Sequence, residues 1–205
     1  MFSIYLATAN PHKVSEFAEM FADSSIECAM HSSAEFENYE SPEEDGDTFE
    51  KNAFIKAEAL KKCVPEGAYV VADDSGIVVD ALGGAPGIHS ARYAGVSGRA
   101  ADAANNAKLL NALENVADKK RTARFVCAIA LICPDGERVS FGGKIEGVIN
   151  RGESGANGFG YDPLFFLPER ACTTAELSAA DKNEISHRGR AFKKLAEFLR
   201  KKERL

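Results

Sequence analysis

Arg124 to Cys133 (RFVCAIALIC) is nearly continuous apolar sequence, and it limits the fold more than any other part of this chain. A run of that kind has no polar face. A strand made from it must be covered on both sides, as central strands of α/β sheets are. Pro134-Asp135-Gly136-Glu137 then predicts a hairpin turn into a return strand from Arg138 to Ile149. Phe2 to Ala7 and Tyr69 to Ala72 read as further buried strands, and Ile26 to Met30 as a short one. Ile77 to Val79 is a separate apolar piece.

Helical segments alternate with these strands. Asn10-Pro11 predicts a helix start, with asparagine as the cap and proline at the first position. Val14, Phe17, Ala18 and Phe21 follow at helical spacing and give that helix one core face. A second helix begins at Asp47 or Thr48 and runs to about Cys63, with Ala53, Ala57 and Leu60 on one side. Asn52 and Lys56, four apart, share another face. Ala100 to Leu113 predicts a third helix, and Ser186 to about Lys202 a last one with a stripe of Phe192, Leu195, Ala196 and Leu199. No repeat or linker interrupts the 205 residues, so the expectation is one α/β domain, residues 1–205, with a central mixed β-sheet flanked by helices. A domain of this size buries roughly 70% of its unfolded surface and needs neither disulfides nor metal to fold.

Charge and cysteine usage exclude several functions. The 25 basic residues against 31 acidic ones leave a net charge of -6, the wrong sign for a nucleic-acid surface. No run of 18 apolar residues and no basic-then-apolar leader occurs, so no membrane contact is expected and the location expected is cytoplasmic. The five cysteines form no C-x-x-C pair, and Cys127 and Cys133 are spaced to share one strand face, which predicts buried reduced thiols rather than zinc. The four histidines are far apart without H-x-x-x-H spacing, so any bound metal would be held by oxygen.

Asp73-Asp74-Ser75-Gly76 follows directly on the apolar Tyr69-Val70-Val71-Ala72. Two adjacent carboxylates and a hydroxyl at one point can hold a hard cation such as Mg2+ and activate water. By itself the segment reads more readily as a strand ending in a solvated acidic turn. Leu82-Gly83-Gly84-Ala85-Pro86-Gly87 beyond it predicts a long shaped loop. Two helix starts carry cations where the macrodipole disfavours them, by about 0.3–1 kcal/mol each. Lys13 stands three residues after the Asn10 cap, and His187 and Arg188 follow Ser186, with Lys182 just upstream. Free N–H groups, the dipole and a cation together suit a phosphate, whereas the alternative is side chains pointing into solvent. In Gly155-Ala156-Asn157-Gly158-Phe159-Gly160-Tyr161-Asp162 an aromatic sits among glycines and could stack on a planar base. Neither a P-loop nor a dinucleotide-binding glycine motif is present.

Together these stretches resemble the inosine/xanthosine triphosphate pyrophosphatase family. The matching segments are Ala7-Thr8-Ala9-Asn10-Pro11-His12-Lys13, Thr48-Phe49-Glu50-Lys51-Asn52-Ala53, Ala72-Asp73-Asp74-Ser75-Gly76, Gly83-Gly84-Ala85-Pro86-Gly87 and Ser90-Ala91-Arg92-Tyr93-Ala94-Gly95. Gly158-Phe159-Gly160-Tyr161-Asp162-Pro163 and Ser186-His187-Arg188-Gly189 complete the set in the family's order. Ala9 departs from the glycine common there, which narrows backbone approach at the phosphate loop.

The resemblance implies an ITPase-like fold with an active-site cleft between two lobes, and Mg2+-dependent hydrolysis of dITP, ITP or XTP to the monophosphate and pyrophosphate. It implies that Thr8, Ala9, Asn10, Pro11, His12 and Lys13 hold the triphosphate, with Lys13 and Lys56 neutralising its charge. Asp74 would be the proton acceptor and, with Glu43, a Mg2+ ligand; Glu44 is the neighbouring alternative, and Asp73 the understudy to Asp74. Ser75 would contact the substrate beside the metal. Phe159 would stack on the purine, while Gly160, Tyr161, Asp162, Lys182, His187 and Arg188 complete the nucleotide pocket. Donors such as Arg188 or backbone N–H, aimed at the 6-oxygen, would reject adenine. Family members are commonly homodimers. A pyrophosphatase for another modified nucleotide class, or a nucleotide-binding protein without turnover, stands as the alternative.

Overall fold

The computed structural model describes residues 2–204. Its seven-stranded sheet has the order β2-β1-β3-β4-β5-β6-β7. The strands are β1 (Phe2–Leu6), β2 (Cys28–Ser32), β3 (Tyr69–Val79), β4 (Thr122–Ile132), β5 (Arg138–Ile149), β6 (Phe165–Leu167) and β7 (Cys172–Thr173). The helices are α1 (Pro11–Asp23), α2 (Phe49–Lys61), α3 (Ala101–Ala112), α4 (Ala179–Ile185) and α5 (His187–Glu203). β1 pairs in parallel with β2 and β3, whereas β6 pairs antiparallel with β5 and β7. The sheet is therefore mixed, as the sequence predicts.

Two compact units make up the chain. The first holds residues 1–74, 127–143 and 188–205, and the second holds 75–126 and 144–187. The unit boundaries fall inside β3 after Asp74, inside β4 before Cys127, and inside β5 after Gly143.

In the first unit, β1, β3 and β4 alternate their side chains between two cores, because successive residues of a strand face opposite sides. Ile4, Leu6, Tyr69, Val71, Cys127, Ile129, Leu131 and Cys133 pack with Phe17, Phe21, Phe192 and Leu195 from α1 and α5. Tyr5, Ala7, Val70, Ala72, Ala130 and Ile132 pack with Ala53, Ala57 and Leu60 of α2. Cys127 and Cys133 do share a face, and all five cysteines are free. The second unit has its own core of Ile77, Val79, Leu109, Leu113, Phe125, Ile145, Tyr161, Leu164 and Phe165.

Differences from the sequence expectation are local. Ile77 to Val79 is the continuation of β3, so Asp73-Asp74-Ser75-Gly76 lies in mid-strand. The solvated acidic turn is excluded, since both aspartates are buried. α4, a two-turn helix, escapes any reading of apolar periodicity because its residues are AADKNEI. β6 and β7 are too short, at three and two residues, to leave a period-two pattern.

Candidate active site

Two carboxylates, adjacent in sequence, have opposite surroundings within the first unit. Asp73 follows Tyr69 and Val71 on the α1/α5 face of β3, and Asp74 follows Val70 and Ala72 on the α2 face. Each meets the helices packed on its own side.

Asp73 is 1% exposed. Its Oδ1 lies 3.0 Å from Lys13 Nζ, and its Oδ2 accepts hydrogen bonds from Arg188 Nη2 at 2.8 Å and Nε at 3.2 Å. Arg188 Nη1 reaches Glu16 Oε2 at 2.5 Å. The Cys127 thiol, 4.0 Å away, also donates to Asp73 Oδ2. Burial by itself would raise the Asp73 carboxyl, but Lys13, Arg188 and Lys56 outweigh it and hold it well below the usual carboxylate range. Burial, and then Asp73, pushes the Cys127 thiol up to about 12. A carboxylate fixed in its ionised form is a poor proton acceptor at neutral pH. Its ion pairs with Lys13 of α1 and Arg188 of α5 tie both helices to β3.

Asp74 Oδ1 accepts a hydrogen bond from Lys56 Nζ at 2.8 Å. Its Oδ2 is buried and has no hydrogen-bond partner among the described residues. Glu44 Oε2 stands 3.5 Å from the same Lys56 Nζ. Burial would lower the Lys56 ammonium, yet Asp74, Asp73 and Glu44 hold it above the ordinary lysine value, so it stays charged. Glu43, the residue the family pattern selects as metal ligand, is exposed on the acidic loop. Burial alternates along residues 41–46, and that extended alternation turns Glu44 inward and Glu43 outward.

Of the misplaced cations, Lys13, Lys182 and Arg188 have carboxylate partners. Neither solvent nor an open helix end explains Lys13, which pairs with Asp73. The N–H groups of His12 and Lys13 donate to Asn10 Oδ1 at 3.0 and 3.4 Å, and Asn10 N donates to Thr8 Oγ1 at 3.1 Å. The start of α1 is thus already capped by Asn10. Arg188 likewise has carboxylate partners, donating from Nε and Nη2 to Asp73 and from Nη1 to Glu16. The His12 side chain is exposed. His187 is buried, its ring stacked on Phe125 at 4.8 Å.

In the second unit, the loop from Gly155 to Asp162 is fixed from several sides. Phe159 N donates to Asp162 Oδ2 at 2.8 Å, and Lys182 Nζ donates to the same oxygen at 2.7 Å. Thr174 Oγ1 donates to Asp162 Oδ1 at 2.8 Å. Gly158 has φ +75°, and a Cβ there would lie 2.1 Å from Asp162 Oδ2, so only glycine lets the carboxylate close on the Phe159 amide. Gly160 is held through its N–H by Asp102 at 2.8 Å and through its C=O by Asn106 at 3.2 Å. Tyr161 Oη donates to Ser90 O at 2.8 Å. The half-buried Phe159 ring has Lys182 Nζ 5.0 Å from its centroid. Ser75 is half-buried on β3.

Several of these partners were not legible in the sequence. Glu16 carried a signal, three residues after Lys13 on the same face of α1. Asp102, Asn106 and Thr174 are remote from the loop they hold and carried none.

An α/β sheet bearing a buried carboxylate with an unpaired oxygen, beside a charged lysine, is equipped for the chemistry of phosphates. The chain belongs to the Ham1 family, whose model matches residues 4–198. It is 50% identical over 199 residues to a dITP/XTP pyrophosphatase of Listeria monocytogenes, covering 97% of this chain and 95% of the relative. A dITP/XTP pyrophosphatase of Bacillus anthracis is 47% identical, with 96% of each chain covered. Among solved structures, a HAM1 protein of Coxiella burnetii superposes with a TM-score of 0.85 at 40% identity, covering 98% of this chain and all of the other (100%). The Ham1 protein of Staphylococcus aureus gives 0.82 at 42% identity, covering 98% and 99%. The resemblance read from the motifs is borne out.

Proposed function

We propose that the chain hydrolyses noncanonical purine nucleoside triphosphates (dITP, ITP and XTP) to the monophosphate and pyrophosphate, and so keeps them out of the nucleotide pool. The observation that carries this reading is the Asp74 Oδ2 atom, buried without a donor beside a charged lysine. The relatives named above as dITP/XTP pyrophosphatases support it.

The residues present suit Mg2+. Asp74 and Glu44 offer only oxygen donors, and together with Lys56 they leave one surplus negative charge. These two carboxylates would hold the cation. When bound, it would offset the charge of the triphosphate and polarise the phosphoryl oxygens.

The chain's own residues account for the remainder. A carboxylate has about four lone-pair positions, and Lys56 occupies one on Asp74, so Asp74 retains capacity to take the proton of the attacking water. Water oxygen bonds to the α-phosphorus, the bond to the bridging oxygen breaks, and pyrophosphate leaves with those electrons. An ammonium has three N–H donors, so Lys13 and Lys56 can each keep a carboxylate and still donate to phosphate oxygens. Phe159 is assigned to stack on the base, with Asp162 and Lys182 fixing it in place. Rejection of adenine is assigned to N–H donors at the 6-oxygen edge, which an amino group leaves unpaired. We assign the enzyme to the cytoplasm and to a homodimer, with all 205 residues acting as one domain; no helix among the described residues is long and apolar enough to cross a membrane.

The test is pyrophosphate release from dITP and dATP with and without Mg2+. Release that requires Mg2+ and strongly favours dITP is expected. Equal rates for the two nucleotides, or no release from either, would overturn the reading.

A further inference from the structure

Asn52 lies one helical turn before Lys56 on α2 and is wholly buried, at 0% exposure. None of the roles assigned above uses it. Its Oδ1 accepts a hydrogen bond from the backbone N–H of Gly46 at 2.8 Å. An N–H group can only donate, so this contact fixes the orientation of the amide. Nδ2 therefore faces away from Gly46, and it is buried with no hydrogen-bond partner among the described residues. A buried amide donor left open is a costly state, and native structures rarely keep one without a use.

Gly46 closes the acidic loop two residues after Glu44. A Cβ on residue 46 would lie 2.5 Å from Asn52 Oδ1, so glycine is what lets the loop descend onto the amide. Two residues further along, Thr48 Oγ1 caps α2 by accepting from Lys51 N at 3.1 Å. The loop is thus anchored to the first turn of the helix that carries Lys56. In that anchored position, Glu44 stands 3.5 Å from Lys56 Nζ.

We propose that Asn52 is a positioning residue for the cation-binding carboxylates. Its Oδ1 clamps Gly46 and so keeps Glu44 turned toward Lys56 and Asp74, while its Nδ2 is left to donate to an oxygen that arrives with the cation and the triphosphate. The inference rests on the reading of Asp74 and Glu44 as cation ligands. It adds a residue that is not itself a cation ligand, yet sets where one ligand carboxylate stands.

The test is Mn2+ binding, followed by electron paramagnetic resonance in the presence of the non-hydrolysable α,β-methylene analogue of dITP. Wild type, Asn52→Ala, Gly46→Ala and the double variant are compared, with thermal midpoints measured alongside. Asn52→Ala is expected to weaken Mn2+ binding about tenfold or more, the range found when an outer partner of a metal ligand is removed. Gly46→Ala forces the same contact apart with the amide intact, and should weaken binding likewise. The double variant should be little worse than the poorer single, because both changes break one contact. Unchanged Mn2+ affinity in Asn52→Ala, with only a lowered thermal midpoint, would make the residue a plain loop staple and overturn the inference. Fully additive losses would also overturn it. If Asn52→Ala does not fold, Gly46→Ala decides alone by the same criterion. Failure of the wild type to bind Mn2+ would instead refute the cation site itself, a separate result from normal wild-type binding with no effect of the variants.

Discussion

The two faces of β3 at Asp73 and Asp74 show how one residue type serves two ends. Around Asp73, two cations (Lys13 and Arg188) meet two carboxylates (Asp73 and Glu16), and the local charge closes to zero. Around Asp74, one cation (Lys56) meets two carboxylates (Asp74 and Glu44), which leaves a surplus negative charge and a buried oxygen without a donor. A balanced cluster holds elements together. An unbalanced one holds a place for something that is not part of the chain. Within this pair, then, charge balance separates structure from chemistry where residue type cannot.

The comparison can be broken most directly at Asp74. Asp74→Asn should lower kcat for dITP on the order of 10^3-fold, within the range for loss of a general base, with the thermal midpoint little changed because the substitution balances the charge around Lys56. Asp73→Asn should act in the opposite sense. It leaves Arg188 and Lys13 with one carboxylate between them, and breaking a buried pair from one side costs about 3–5 kcal/mol. In a chain of this length that lowers Tm by on the order of 10 °C.

The same comparison has a pH signature. The folded-state pKa of Asp73 is depressed, so its contribution is complete above the unfolded value of about 3.9 and is lost as pH falls below it. Urea midpoints followed from neutral to strongly acidic pH should therefore fall less steeply for Asp73→Asn than for wild type. In the second unit, Phe159→Ala should raise KM for dITP by roughly 10- to 100-fold, as stacking of a base on an aromatic is worth about 1–3 kcal/mol. At the metal, Glu44→Gln removes a proposed ligand and should raise the Mg2+ concentration for half-maximal turnover at least as much as Asn52→Ala, about tenfold or more, and Glu43→Gln should leave it unchanged. An effect of Glu43→Gln equal to that of Glu44→Gln would mean the loop turns the other way in solution.

The sheet was legible because its determinants are local. RFVCAIALIC has no polar face, Pro134 to Glu137 is turn chemistry, and Asn10-Pro11 caps α1 as its residue types require. The motifs put Asp74, Lys56, Lys13 and Phe159 forward as candidates. Their partners were less so. Lys13 and Arg188 looked wasteful as helix starts, and that tension pointed to a bound phosphate, whereas the partner the structure shows is Asp73, 115 residues before Arg188. Only the pairing of α1 and α5 with one face of β3 brings those groups together. The choice of Glu44 over Glu43 depends on an extended loop with period-two burial, and a polar acidic sequence such as Ser41 to Gly46 carries no apolar alternation to reveal it.

The central claim is the division of labour between the two aspartates. Turnover of dITP per folded molecule, measured for Asp73→Asn beside Asp74→Asn at a temperature where both are folded, tests it most directly. The account predicts that Asp73→Asn retains substantial turnover once corrected for its folded fraction, whereas Asp74→Asn still binds dITP and does not turn it over. Near-wild-type turnover by Asp74→Asn, or equal loss in both variants, would contradict it.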